Sequence, residues 1–138
     1  MNVLIRAEAL SGFGEAILKA VNVPESTARL VATSLVAANL RGVDSHGMQL
    51  LPFYVEQLEA GDMSKTAGGR VVSELGSCLL YDGENGIGQS VAETCCAQGV
   101  HIARQQGMSM VVARESNHFG AAAFWARRNI QARGWLES

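Results

Sequence analysis

Asp44-Ser45-His46-Gly47 is a polar, titratable stretch inside what would otherwise be one long helical tract. Apolar residues at helical spacing lead into it over residues 24–40 and resume over residues 48–58. A histidine beside a hydroxyl, a carboxylate and a glycine in such a break is exposed to chemistry. A second histidine segment, residues 116–120 (SNHFG), lies far downstream. We expect the two segments to meet in space and to form part of one site.

The first half of the chain has the pattern of three helices. Apolar residues at helical spacing predict helices over residues 4–21, 24–42 and 48–61. Asn22 suits a left-handed stop after the first helix, and Pro52 is tolerated only in the first turn of the third. His46 is therefore predicted to lie just before a helix N-terminus.

The second half changes period. Short β-branched or apolar runs predict strands over residues 70–74 and 77–81, and a nearly wholly apolar run over 108–113 predicts a third, central strand. A loop over 82–88 and helices over 89–106 and 121–132 complete the pattern. The predicted class is α+β, with three N-terminal helices followed by a β-β-α-β-α unit. We divide it into a helical N-terminal segment, 1–62, and an α+β segment, 63–138.

Composition excludes several classes of protein. The 138 residues give room for one ordinary domain, and 48% hydrophobic with 17% charged residues is a globular composition. A formal charge of -2 with scattered Lys and Arg argues against nucleic-acid binding. No apolar run approaches the roughly 20 residues that span a bilayer. Arg6 and Glu8 interrupt any signal-peptide core, so we expect a cytoplasmic protein that does not enter a membrane.

The three cysteines, Cys78, Cys95 and Cys96, form neither a disulfide framework nor a zinc-site spacing. The simplest interpretation of the adjacent pair is small buried side chains in a reducing compartment. A redox thiol is the functional alternative.

Gly83, Gly86 and Gly88 lie between a predicted strand and a predicted helix, where a phosphate-binding loop would be. Their spacing is G-x-x-G-x-G rather than the G-x-G-x-x-G of a Rossmann fingerprint, and no acidic residue follows about 20 positions on. A turn in which Asn85-Gly86 supplies positive φ is the favoured interpretation.

His118 follows a predicted strand and begins a predicted helix, with Ser116 or Asn117 available as N-cap. Free amides at such a helix start can hold an anion such as a pyrophosphate. The helix field also disfavours the imidazolium and leaves a neutral ring suited to acid–base exchange. A capping histidine without chemistry is the alternative.

His46 poses the same question. Ser45 would orient its ring by a hydrogen bond, and Asp44 would stabilise its charged form. Contiguous residues do not usually adopt the geometry of a hydrolase triad, and a zinc site on His46 and His118 lacks a third ligand. We therefore predict no metal site.

Three motifs in register suggest a family. They are residues 40–47 (LRGVDSHG), 82–89 (DGENGIGQ) and 116–120 (SNHFG). In this order and spacing the chain, from its first helix to about Trp135, resembles the N-terminal part of the non-Rossmann malate/L-lactate dehydrogenase family. That family includes ureidoglycolate and sulfolactate dehydrogenases and cyclic imino-acid reductases.

The resemblance implies an oxidoreductase that transfers a hydride between NAD or NADP and a small 2-oxo acid, 2-hydroxy acid or imine. It implies that Ser45 and His46 belong to a polar relay at the substrate. By the same resemblance His118 exchanges the proton or lines the nicotinamide pocket, and the stretch Phe119-Gly120-Ala121-Ala122 contacts the cofactor. The resemblance also implies that the α+β segment, 63–138, is a partial cofactor-binding segment. Members of the family are homodimers with the active site near the subunit interface.

Two departures from the family pattern bear on this expectation. The family commonly has an arginine four residues after the histidine, available for the substrate carboxylate, and here that position is Leu50; Phe53 also replaces a frequent basic residue. Family members also continue well beyond this length, so we expect a truncated chain. A catalytically inactive, dimerising folded module is the alternative function.

Overall fold

The structure, a computed structural model, describes residues 4–132. Within that range the elements, in chain order, are α1 (Ala7–Ala20), α2 (Glu25–Asn39), two 3₁₀ turns (Asp44–His46 and Met48–Leu50), α3 (Leu51–Ala60), β1 (Arg70–Leu75), β2 (Cys78–Gly86), α4 (Gly88–Gln106), β3 (Met110–Ser116) and α5 (Ala122–Ala132). This order confirms the predicted α+β class, with three helices followed by a β-β-α-β-α unit. Trp135 lies outside the described residues.

The first three helices pack on each other because each has an apolar face. Leu18, Leu35 and Tyr54, one from each helix, are at most 1% exposed and belong to one core cluster. Asn22 takes φ +66° between α1 and α2, which confirms its predicted left-handed stop. The same core cluster includes Met63 and Ile87, so it continues from the helices to the start of α4. The division at residue 62 stays a prediction.

The three described strands form one sheet in the order β1-β2-β3, with β1 antiparallel and β3 parallel to β2. A smaller core of Leu79, Tyr81 and Val91 lies between β2 and α4. The prediction that β3 is central is wrong within this described sheet, because β3 pairs on one side only. Met110 and Val112 of β3 are 55% and 48% exposed, so an apolar run did not mean a buried strand here.

The predicted loop over 82–88 is also wrong in part, because β2 continues through Gly86. The Asp82 carboxylate accepts hydrogen bonds from the Glu84 N–H at 2.9 Å and from the Arg114 guanidinium at 2.9 Å. These bonds lower the pKa of Asp82, the backbone bond having the larger effect. Asn85 has the predicted positive φ, +58°, and Glu84 shares it at +51°, whereas Gly86 is not in that region.

Candidate active site

The rings of His46 and His118 lie with their centroids 5.7 Å apart. His46 ends the first 3₁₀ turn, and His118 lies between β3 and α5. The two histidine segments therefore meet in space as the sequence predicted. Their chemical roles stay a prediction.

His46 is oriented by its immediate neighbours. The Ser45 Oγ lies 3.0 Å from His46 Nδ1, as expected for a hydroxyl that fixes the ring. The Asp44 carboxylate accepts a hydrogen bond from Asn39 Nδ2 at 2.6 Å, and its predicted action on the His46 ring stays a prediction. This bond ties the start of the first 3₁₀ turn to the end of α2.

Asn39, the last residue of α2, organises the whole segment. Besides donating to Asp44, its Oδ1 accepts the N–H of Met48 at 2.8 Å. Its amide also fills the space beside Gly47, where any Cβ would overlap it. One side chain therefore bridges both 3₁₀ turns and fixes the position from which His46 projects.

His118 is held by a tyrosine on α3. The Tyr54 hydroxyl lies 2.7 Å from His118 Nδ1, and the Gly120 N–H donates to the same nitrogen over 3.4 Å. Gln89, in the first turn of α4, donates from Nε2 to the Tyr54 oxygen at 2.9 Å. Tyr54 and Gln89 are 1% and 0% exposed, so this chain of hydrogen bonds runs from the protein interior to the exposed His118.

Partial desolvation of the His118 ring lowers its pKa below the ordinary value of 6.5, and the neighbouring His46 lowers it further. Burial likewise raises the pKa of Tyr54, against a smaller opposing effect of the hydrogen bond from Gln89. At neutral pH the pair is therefore a neutral phenol hydrogen-bonded to a neutral imidazole. The predicted neutral ring has these two causes rather than the predicted helix field.

The predicted N-cap at the start of α5 is wrong. The helix begins at Ala122, four residues after His118. Asn117 points its amide elsewhere and donates to the carbonyl oxygens of Asn85 at 3.1 Å and Gly86 at 2.9 Å. These bonds tie the His118 loop to the end of β2.

Gly88 lies directly beneath the same loop. A Cβ at this position would overlap backbone atoms of Asn117 and His118. In the described structure, Gly88 thus lets the start of α4 approach the backbone of the His118 loop closely. This favours a structural role for the glycine over a phosphate-binding one.

The stretch from Phe119 to Ala122 forms the approach to α5. Trp125, 5% exposed, donates from Nε1 to the Phe119 carbonyl at 2.9 Å and so anchors the stretch. Gly120 takes φ +79°, a conformation that favours glycine. These contacts give the stretch a fixed path beside His118.

A cavity of about 590 Å³ lies beside Ala121, between the end of α2 and the first turns of α5. Its lining is mostly apolar and carries the guanidinium groups of Arg41, Arg127 and Arg128, with no acidic side chain. Arg128 is ion-paired with Glu93. Small residues beside a cationic, acid-free cavity fit an anionic cofactor with an apolar body.

Leu50, where the resemblance expects an arginine, is half-buried and packs against the core of the helical segment. It therefore offers the site no charge for a carboxylate.

Other features limit the chemistry available. No group of three or more His, Cys, Asp or Glu residues within 4–132 is placed to hold a metal ion. Burial raises the pKa of Cys95 to about 11, which disfavours the thiolate that redox chemistry needs. Across the same described range, no helix combines the length and apolar character needed to cross a membrane.

Sequence reasoning missed Tyr54, Gln89 and Asn39. In the sequence, Tyr54 is one of the apolar-face positions of the third predicted helix. The available signal was its hydroxyl, because a buried tyrosine usually finds a hydrogen-bond partner. Gln89 and Asn39 carry no local signal beyond a polar residue beside apolar positions.

The sequence matches the malate/L-lactate dehydrogenase family over residues 5–133, and the chain belongs to this family. It is 37% identical over 124 residues to malate dehydrogenase of Pyrococcus horikoshii, covering 90% of this chain and 34% of that protein. It is 34% identical over 122 residues to hydroxycarboxylate dehydrogenase B of Escherichia coli K12, covering 88% and 34%.

Solved structures give the same picture. The structure of Pyrococcus horikoshii malate dehydrogenase matches with a TM-score of 0.89 at 36% identity, over 91% of this chain and 36% of that one. Malate dehydrogenase from Entamoeba histolytica matches with a TM-score of 0.91 at 30% identity, over 96% and 37%. The chain thus has the non-Rossmann dehydrogenase fold of these proteins and spans about a third of their length.

Proposed function

We propose that this chain carries the proton-transfer part of a dehydrogenase site that moves a hydride between NAD or NADP and a small 2-oxo or 2-hydroxy acid. The observation that carries the proposal is the meeting of His46 and His118, with His118 Nδ1 bonded to a buried tyrosine. Hydride transfer to a carbonyl carbon requires a proton at the carbonyl oxygen, and an oriented imidazole is suited to this exchange. Malate, sulfolactate and hydroxycarboxylate dehydrogenases among the relatives support this substrate class.

His118 is proposed as the proton donor and acceptor. Its Nδ1 is occupied by Tyr54 and Gly120, which leaves Nε2 as the ring nitrogen available to a substrate oxygen. The centroid of the His46 ring, which Ser45 orients, lies 5.7 Å from that of His118. His46 is therefore placed to hydrogen-bond the same substrate or to pass the proton on. The lowered pKa of His118 keeps the ring neutral at pH 7, so it does not repel a bound cation.

The residues that would hold the cofactor are His118 and the stretch Phe119-Gly120-Ala121-Ala122. Bound nicotinamide would supply or accept the hydride. Arg41 and Arg127, which line the adjoining cavity without an acidic partner in its wall, would provide positive charge for an anionic group. We further propose a cytoplasmic location, in keeping with three free cysteines, and a homodimer.

The direct experiment is NAD(P)H oxidation by the purified chain with a panel of 2-oxo acids and cyclic imines. His118→Ala is expected to abolish turnover, whereas His101→Ala, which alters an exposed histidine on α4, is expected to leave it unchanged. A folded chain that shows neither turnover nor NAD(P)H binding would contradict the proposal for this chain. Separate binding measurements with NADH and NADPH would identify the cofactor.

The substrate class has its own test at Leu50. Leu50→Arg would restore the guanidinium that the family pattern places at the substrate carboxylate, a charged hydrogen bond worth about 1.5–3 kcal/mol. We expect tighter binding of pyruvate by roughly 10- to 100-fold relative to Leu50→Gln. Equal binding by the two variants would show that another group anchors the carboxylate.

An inactive module that dimerises is the second candidate. It is favoured by the exposed apolar face of the sheet, where Leu75 of β1 is 81% exposed and Met110 and Val112 of β3 are 55% and 48% exposed. Sedimentation equilibrium with Val112→Lys distinguishes the cases. A dimer dissociated by the lysine, in a chain that binds no NAD(P)H, would support the module over the enzyme.

A further inference from the structure

Gln89 is an unusual residue for the interior of this fold. It is 0% exposed, yet only one end of its amide is used: Nε2 donates to Tyr54, and Oε1 has no hydrogen-bond partner among the described residues. Burying a polar atom without a partner carries a free-energy cost. Such a cost points to a role beyond packing, because an aliphatic side chain of the same length would fill the space without it.

The direction of the hydrogen bonds defines that role. A tyrosine hydroxyl has one hydrogen, and the Tyr54 oxygen already accepts from Gln89 Nε2 at 2.9 Å. Its own hydrogen is therefore free to go to His118 Nδ1, 2.7 Å away. The Gly120 N–H points at the same Nδ1. Two donors converge on Nδ1, so that nitrogen acts as an acceptor and carries no hydrogen.

We propose that Gln89 is a positioning residue which, through the Tyr54 hydroxyl, keeps the proton of neutral His118 on Nε2. This deepens the proposed function, since Nε2 is the nitrogen left for a substrate, and it rests on that function for its catalytic meaning. The ionisable groups that act on the ring from the elements packed around it are His46 from the first 3₁₀ turn and Tyr54 from α3. Neither is a carboxylate that would draw the proton to Nδ1.

Replacing the Gln89 donor by an acceptor would reverse the direction of the hydrogen bonds from residue 89 through Tyr54 to His118. With an acceptor facing Tyr54, the hydroxyl hydrogen would turn toward residue 89, and the Tyr54 oxygen would accept a hydrogen from His118 Nδ1. The ring would lose the Nε2 proton to water and gain one at Nδ1, so its charge would not change. Nε2 would become a base rather than a hydrogen-bond donor. Gln89 thus determines whether Nε2 of the neutral His118 ring is a hydrogen-bond donor or a base.

The test is NMR of the ¹⁵N-labelled chain at a pH where His118 is neutral, with its ring signals assigned by His118→Gln. Long-range ¹H–¹⁵N correlation distinguishes a protonated Nε2 from a protonated Nδ1. We expect protonated Nε2 in the native chain. At a pH where the new carboxyl group is ionised, we expect protonated Nδ1 in Gln89→Glu, because a carboxylate can only accept from Tyr54. Gln98→Glu, a charge change on the same helix outside this chain of bonds, is expected to leave His118 unchanged.

Gln89→Glu places a charge in the interior and is at risk of failing to fold, so Gln89→Met provides a second, uncharged variant. Methionine removes the donor to Tyr54, and the fraction of His118 protonated at Nε2 is expected to fall. In a Tyr54→Phe background, neither change at residue 89 should alter the ring, since the intermediary is gone. A native ring protonated at Nδ1, or the same tautomer in the native chain and the folded variants, would overturn the proposal. The readout needs no turnover, so it is independent of the activity assay.

Discussion

The Tyr54 hydroxyl lies 2.7 Å from Nδ1 of His118, although the two residues are 64 positions apart in the chain. This contact joins the helical segment to the loop that follows β3. It is also the point at which the core reaches the candidate active site, because Tyr54 belongs to the main core cluster. Stability and chemistry are therefore coupled at this residue.

Tyr54→Phe removes that coupling. The variant loses the bond to His118 and leaves Gln89 with a second buried atom unpartnered, for which we expect a destabilisation of about 1–3 kcal/mol. Because the hydroxyl favours a His118 ring without a proton on Nδ1, the pKa of His118 should rise in the variant. Denaturant unfolding and NMR titration of His118 measure the two effects.

Tyr81→Phe is the matched control for this change. Tyr81 is also buried, at 4% exposed, and its hydroxyl donates to the Gly68 carbonyl at 2.8 Å, away from both histidines. It should lose about 1 kcal/mol of stability and leave the titration of His118 unaltered. An identical His118 titration in both variants would show that Tyr54 is only a core residue.

The lowered pKa of His118 predicts a dependence of stability on pH. A histidine with a folded pKa below its unfolded value near 6.5 binds protons more readily in the unfolded chain. The free energy of unfolding should therefore fall as the pH drops below about 7 and level off once the folded pKa has been passed. The contribution is complete above the unfolded pKa, where both states are neutral.

Comparison of variants isolates this contribution. His118→Gln should show a weaker loss of stability between pH 7 and pH 5 than the native chain, a window that spans the unfolded pKa of about 6.5. His101→Gln, which changes an exposed histidine paired with Gln105, should follow the native curve. Parallel curves for the native chain and His118→Gln would mean that the ring titrates alike in the folded and unfolded states.

Asn39 should be as important to the His46 segment as Tyr54 is to His118. Asn39→Asp replaces the donor to Asp44 by a second carboxylate while keeping an acceptor for the Met48 N–H. Two carboxylates at hydrogen-bond distance repel, so one of them should have a raised pKa. We expect the variant to be destabilised by about 1–3 kcal/mol at pH 7.

The destabilisation of Asn39→Asp at low pH serves as the control for its destabilisation at pH 7. A carboxyl whose folded pKa is raised binds its proton more tightly in the folded state, so the penalty should shrink as the pH falls below about 5. Thermal unfolding at pH 7 and pH 4 measures the difference. A penalty of the same size at both values would show that the loss comes from shape and not from charge.

The spacing of apolar residues predicted much of this fold, because a helix with one buried face has apolar residues at regular intervals in its sequence. The three N-terminal helices and the left-handed Asn22 follow from residues close in sequence. The placement of β3 does not. An apolar run shows that a strand favours burial, but it does not show which neighbouring strand or helix will cover it. The same limit applied to the expected cap at Asn117, whose amide bonds β2 residues about 30 positions earlier.

The candidate site divides in the same way. Ser45, His46 and His118 were found because histidines beside helix breaks are conspicuous and because three motifs resemble one family. Tyr54 and Gln89 were not found, since a tyrosine in an apolar stripe and a glutamine in a first helical turn have ordinary local explanations. Only the folded chain shows that their polar atoms converge on His118.

The last prediction compares Gly88, where the absence of a Cβ lets two backbone segments approach closely, with Gly12, where it does not matter for packing. A Cβ at Gly88 would overlap the backbone of the Asn117–His118 loop, whereas a Cβ at Gly12 in α1 would meet nothing within 4 Å. Gly12→Ala should therefore stabilise the chain by up to about 1 kcal/mol through helix propensity. Gly88→Ala should destabilise it by about 1–3 kcal/mol or more, because backbone atoms must move.

The displaced loop should also carry His118 away from Tyr54, so the NMR signals of the His118 ring should shift in Gly88→Ala and not in Gly12→Ala. Denaturant midpoints and the same long-range ¹H–¹⁵N correlation measure both consequences. The other glycine of α1, Gly14, is closely packed, because a Cβ there would meet the Met48 side chain. Equal tolerance of alanine at Gly88 and Gly12 would show that the loop is not seated on α4 as described, and the placement of His118 would have to be revised.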